Sequence, residues 1–125
     1  LTKILIADHD RDYRELVVFS LRFAGYTMLV ASNGDECIEM ANQHQPELIL
    51  IELDLIDING VELCRKLRED EKTAAIPVIF LVNADNVDQL VNQPGGRSQP
   101  CWLKTLSPDQ LTRKINEFLQ HNPKP

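Results

Sequence analysis

The sequence lacks most of the features that specialise a short chain. Its 125 residues hold only three cysteines, Cys37, Cys64 and Cys101, with no C-x-x-C pair and no nearby histidine pair. That argues against a disulfide frame or a cysteine-held zinc site and suits small buried hydrophobes of a reducing compartment. No run reaches the ~18–20 apolar residues of a membrane span. The apolar start KILIA has neither a basic n-region nor a small-residue cleavage site, so it does not read as a signal peptide. A basic excess is also missing: 13 Lys and Arg stand against 19 Asp and Glu, a formal net charge of −6. Nucleic-acid binding by this segment, which needs a basic face, is not expected. A cytoplasmic location without a membrane partner is.

What is present is one domain's worth of ordinary globular composition, 43% hydrophobic and 26% charged. Short apolar runs alternate with helical patterns. KILIA (3–7), TMLVA (27–31), LILIE (48–52), PVIFL (77–81) and CWL (101–103) read as strands, several of them apolar throughout, as parallel strands covered on both faces tend to be. Helical spacing falls at about 11–24, 34–44, 60–70, 86–93 and 108–121. Gly25 ends the first helix, Asn33-Gly34 turns into the second, and Ser107-Pro108-Asp109-Gln110 opens the last with a capping box. NQPGGRSQP (92–100) shortens or breaks the fourth.

Five β-α units of this kind imply an α/β fold built on a doubly wound five-stranded parallel sheet. The domain spans 1–121, and residues 122–125 read as a tail or the start of a linker.

In such folds function collects at the carboxyl ends of the strands. There stand Asp8, His9 and Asp10, then Glu52, then Val82 and Asn83, then Lys104. Three carboxylates converging with one lysine can hold a hard cation and balance a phosphoryl group. Solvated loop acids would look the same.

The order and spacing of four segments make a more specific pattern. KILIADHDRDYRELV, PELILIELDLIDING, IPVIFLVNA and CWLKTLSPDQL together resemble the receiver domain of two-component response regulators over about residues 3–120. The resemblance implies a flavodoxin-like fold with strand order 2-1-3-4-5, and an aspartate at the end of the third strand that takes a phosphoryl group from a kinase histidine. It also implies two acids that hold Mg²⁺, a Thr or Ser and a Lys that bind phosphoryl oxygens, and an aromatic switch residue. Placed on this chain, the acceptor position is Glu52 and the acid pair is Asp8 with His9, with Asp10 one place later. The hydroxyl position is Val82, the lysine is Lys104, the proline after it is Thr105, and the aromatic position is Cys101.

Each departure weakens phosphotransfer. Glu52 carries its carboxylate one methylene, ~1.5 Å, further out. His9 offers nitrogen where Mg²⁺ prefers oxygen, though Asp8, His9 and Glu52 suit a softer ion such as zinc or nickel. Val82 has no hydroxyl, and Cys101 no ring. Asp54 is an alternative acceptor if the third strand persists that far. Glu52 has the reach to bridge Lys104, and a partly exposed bridge of that kind contributes only ~0–1 kcal/mol. The peptide bond entering Thr105 is expected trans, since a non-proline cis bond costs ~2.5–4 kcal/mol.

Partners are suggested by the first helix. Leu16, Val17, Leu21 and Ala24 fall at core spacing, which leaves Val18, Phe19 and Phe23 as a candidate interface. Three readings remain. The first is a degenerate receiver acting as a protein-interaction module, without Mg²⁺ or enzymatic activity. It would engage a histidine kinase, a phosphotransfer or output domain, or a second copy of itself. The second is a working receiver that uses Glu52 or Asp54 with Mg²⁺. The third is a flavodoxin-like small-molecule binder, disfavoured by the lack of a phosphate loop after the first strand.

Overall fold

The computed structural model describes residues 1–121; the tail foreseen at 122–125 lies outside the described residues. Each apolar run becomes a strand: β1 Lys3–Ala7, β2 Thr27–Ala31, β3 Leu48–Glu52, β4 Val78–Val82 and β5 Cys101–Leu103. They pair in parallel in the order β2-β1-β3-β4-β5. Helices α1 Arg11–Phe23, α2 Gly34–His44, α3 Gly60–Glu69, α4 Val87–Asn92 and α5 Pro108–His121 connect and follow them. The fourth strand sits one residue later than the sequence suggests, which brings Val82 inside it. The fourth helix is a single short piece after a 3₁₀ turn at Ala84–Asn86.

Strand alternation splits the core in two. Leu5, Ile49, Ile51, Val78 and Phe80 face the apolar sides of α2, α3 and α4. Ile4, Ile6, Leu48, Leu50, Ile79 and Leu81 face Val17 and Leu21 of α1 and Leu111 and Ile115 of α5. Covered on both faces, β3 and β4 have no exposed position, as their unbroken apolar runs require.

The helix ends are fixed by local chemistry. Asn33 and Asn59 cap α2 and α3, and at α5 Ser107 and Gln110 exchange the two bonds of a capping box. Gly25 follows α1 at φ +100°, a conformation that suits glycine. All peptide bonds among the described residues are trans, the one entering Thr105 included.

Gly60 is required by proximity. Its N–H donates to the Leu53 carbonyl at 2.7 Å, and a Cβ there would stand 2.6 Å from the Glu52 carbonyl oxygen. Gly60→Ala is therefore expected to push α3 away from the end of β3 and cost about 2 kcal/mol in urea denaturation. An unchanged midpoint would show that the loop yields freely.

Candidate functional site

The side chains past the strand ends continue the alternation. Asp8, Glu52 and Lys104 follow the parity of Ile6, Leu50 and Trp102, so they gather on the α1–α5 side. Asp8 is fully buried; the Glu52 and Lys104 side chains are 5% and 10% exposed. The three anticipated charges therefore do converge.

Lys104 reaches Glu52, as expected, only at the limit of an ion pair, and it sits closer to Asp8. Lys104 Nζ lies 2.8 Å from Asp8 Oδ2 and 4.0 Å from Glu52 Oε1. The closer contact is an ion pair between two buried groups. Asp8 Oδ1 takes the Asp10 N–H at 2.8 Å. Lys104 Nζ also stands 4.5 Å from the centre of the Tyr13 ring, a cation–π contact. Burial pushes the Tyr13 hydroxyl well above its usual pKa, with the Asp8 and Glu52 charges adding.

Glu52 turns to His9 instead. The His9 backbone N–H donates to Oε2, and the ring Nδ1 lies 2.8 Å from both carboxyl oxygens. Burial first, and the Asp8 carboxyl second, push the Glu52 carboxyl up to about 7, against the lowering effect of the His9 contacts. A single methylene explains the exchange of partners: the longer arm carries the glutamate past the lysine to the backbone of the loop after β1.

Other candidates fall outside this group. Asp10 is exposed and spends its carboxylate as the N-cap of α1, accepting from the N–H groups of Asp12 and Tyr13. Asp54 is exposed and accepts from the Asn86 side chain at 2.6 Å. Val82 is 1% exposed and packs on the opposite face of the sheet, with Cys101 partly buried against the same cluster. Burial raises the Cys101 thiol.

These donors do not fit Mg²⁺. An octahedral, oxygen-only ion would need Asp8 Oδ2, which Lys104 occupies, and Glu52 oxygens that His9 already holds. Asp8, His9 and Glu52 do offer ligand atoms within 4.8 Å of one another. The ammonium group against Asp8 opposes a cation there as well.

No motif or spacing in the chain points to Asp57. Its Oδ1 and Oδ2 accept from the N–H groups of Gly34 and Asp35 at 2.8 and 3.2 Å, so the β3–α3 loop caps α2 from outside. Those backbone donors hold its carboxyl below the usual range. Next to it opens a cleft of about 380 Å³ whose lining includes His9, Asp35, Glu36, Glu39 and Asp57.

On α1, Val17 and Leu21 are buried, but Leu16 and Ala24 are exposed, so the core stripe is narrower than the spacing suggests. Val18 is partly buried against the core, while Phe19 and Phe23 are 73% and 89% exposed. No described helix is long and apolar enough to cross a membrane.

Comparison with known proteins adds the family context. The family model described as "Response regulator receiver domain" matches residues 4–116. The phosphate regulon transcriptional regulatory protein PhoB of Pseudomonas aeruginosa is 31% identical over 117 residues, 94% of this chain and 51% of that protein. The DNA-binding dual master transcriptional regulator RpaA of Synechocystis is 29% identical over 96% of this chain and 50% of its own length. The chain thus spans about half the length of the curated relatives it matches. A two-component response regulator structure from Clostridium difficile superposes with a TM-score of 0.86 at 26% identity, covering 99% of this chain and all of that one. The chemotaxis response regulator CheY4 of Vibrio cholerae, at 19% identity and TM-score 0.84, covers 94% of this chain and 98% of its own; it shows the fold alone.

Proposed function

Since this chain belongs to the receiver domain family of response regulators, we propose that it is a receiver whose phosphoacceptor chemistry has lapsed and which signals by binding other proteins. One observation carries this reading: the positions for metal and phosphoryl group are filled by the domain's own charges. Lys104 rests on Asp8, and the Glu52 carboxyl is held by His9. Phosphoryl transfer would need the lysine and the acids to release these contacts and meet an incoming phosphoryl group and its cation. Here the groups are already paired, so the domain holds one arrangement without Mg²⁺ or phosphodonor. It is not an enzyme on this reading, and its partner is a kinase, phosphotransfer or output domain of a two-component pathway.

The alternatives are less well supported. Asp54 is tied to Asn86, far from any pairing with Lys104. A small-molecule cofactor with a phosphate would meet four carboxylates in the cleft beside His9, the wrong sign for an anion.

The test is incubation with a small acyl phosphate and Mg²⁺, followed by intact mass. No adduct is expected on the wild-type chain. A stoichiometric, hydroxylamine-labile phosphoryl adduct would overturn the proposal.

A further inference from the structure

The outer face of α1 carries two parallel rows at i, i+4 spacing, which a helix sets side by side. One row runs Arg11, Glu15, Phe19, Phe23; the other runs Arg14, Val18, Arg22. With Val30 of the edge strand β2 they line an open groove of about 640 Å³. Val30 is itself 46% exposed.

Two features of this groove are out of character for the molecule. The chain is acidic, with a net charge of −6, yet the groove has three arginines and one glutamate. Arg11 is paired with that glutamate at 3.0 Å, and Arg14 donates to the Asp8 carbonyl at 2.7 Å. The Arg22 side chain has no ion-pair or hydrogen-bond partner among the described residues. The second feature is the pair of phenylalanines left in water one helical turn apart, with no intramolecular packing to justify their exposure. Aromatic and arginine side chains together are the composition of interface centres.

We propose that this α1–β2 groove is the docking site for an acidic amphipathic helix of a partner protein. It rests on the reading of the domain as a binding module and specifies the partner's chemistry. Apolar side chains of the partner, one turn apart, seat against Phe19, Phe23 and Val30, as in helix-in-groove recognition. Its carboxylates face Arg22 and Arg11. The charge inversion selects against basic partners and speeds encounter with acidic ones. Arg14 stays on the Asp8 carbonyl, so the pocket and the groove share a wall.

Three synthetic helical peptides test it: one with leucines at i, i+4 flanked by glutamates, a copy with lysines for the glutamates, and a scrambled acidic one. Binding is read by fluorescence anisotropy and by amide shifts in ¹⁵N-labelled protein. The first peptide should bind, with shifts at Phe19, Arg22, Phe23 and Val30, and weaken between about 0.1 and about 1 M salt. Phe19→Ala with Phe23→Ala, and separately Arg11→Glu with Arg22→Glu, should each weaken it at least about tenfold. Both pairs are exposed, so circular dichroism should be unchanged. Equal binding of the lysine copy, shifts elsewhere, no binding at all, or self-association through this face that the acidic peptide fails to displace would each overturn the proposal. Repeating the titration with acyl phosphate and Mg²⁺ separates the two readings. Binding that appears only then supports the groove and removes the lapsed-acceptor function. Binding lost in both conditions removes the groove and leaves the pocket reading standing.

Discussion

The triple variant Glu52→Asp, His9→Asp, Val82→Thr is expected to accept a phosphoryl group from acyl phosphate and Mg²⁺, while Glu52→Asp alone stays unlabelled. Shortening residue 52 returns the nucleophile to its place, and a misplacement of about 1 Å can itself cost on the order of a hundredfold. That change leaves the metal unsupported, because residue 9 still offers nitrogen and Lys104 still rests on Asp8. His9→Asp supplies an oxygen and removes the ring that grips residue 52. Val82→Thr supplies the hydroxyl that the family carries at this position; because Val82 packs on the α2–α4 side of the sheet, the end of β4 has to turn to bring that hydroxyl to the phosphoryl oxygens, and burying it costs about 1–2 kcal/mol of stability. Labelling should go from undetectable to near-complete in intact mass, a gain of about a thousandfold or more, since each part acts only with the others. Rapid labelling of the single variant would mean that His9 and Val82 are tolerated, and the lapsed-acceptor reading would fall with them.

Glu52→Gln should change the pH dependence of stability more than any other conservative substitution in the pocket. A half-exposed bridge to Lys104 would contribute little; a carboxyl that is 5% exposed and pushed up to about 7 is a different case. In the unfolded chain this group titrates near 4.5, so the folded state holds the proton more tightly. Its contribution is complete below pH 4.5, declines as pH rises, and is gone above about 7. The swing is of order 3 kcal/mol. Glutamine stands in for the neutral acid at every pH. The difference in unfolding free energy between variant and wild type should therefore grow in the variant's favour from pH 4.5 to 8, as measured by urea denaturation at several pH values. Comparing the pair cancels the titration of groups that do not touch residue 52. Parallel curves would mean that Glu52 titrates normally and that its burial is relieved by opening of the loop.

Much of the fold can be read in the chain because its strands are central and covered. LILIE and PVIFL are apolar without interruption, which only a two-sided core requires, and the turn and capping residues between runs mark the helix ends. The site was legible in part. Asp8, Glu52 and Lys104 converge because alternation along three parallel strands sends them to one side, and that is a property of register. Which charge takes which partner depends on one methylene and a rotamer, and no spacing rule encodes that. Asp10 carried a signal that pointed elsewhere: an aspartate just before a helix is a favoured cap. The α1 stripe is narrower than its spacing suggests because Leu16 sits about 100° around the helix from Val17 and is left 48% exposed. Asp57 acts across 23 residues of chain, on a helix that nothing local links to it.

That last contact ties two remote pieces of the molecule into one thermodynamic balance. Gly34 and Asp35 lend their N–H groups to a loop that begins at the end of β3, so the start of α2 and the mouth of the pocket share a single latch. Anything that draws the loop outward uncaps the helix, and anything that clasps the first turn of α2 holds the loop shut. Reciprocity makes the two effects equal in free energy. A protein that never touches the pocket can therefore set how open its rim is.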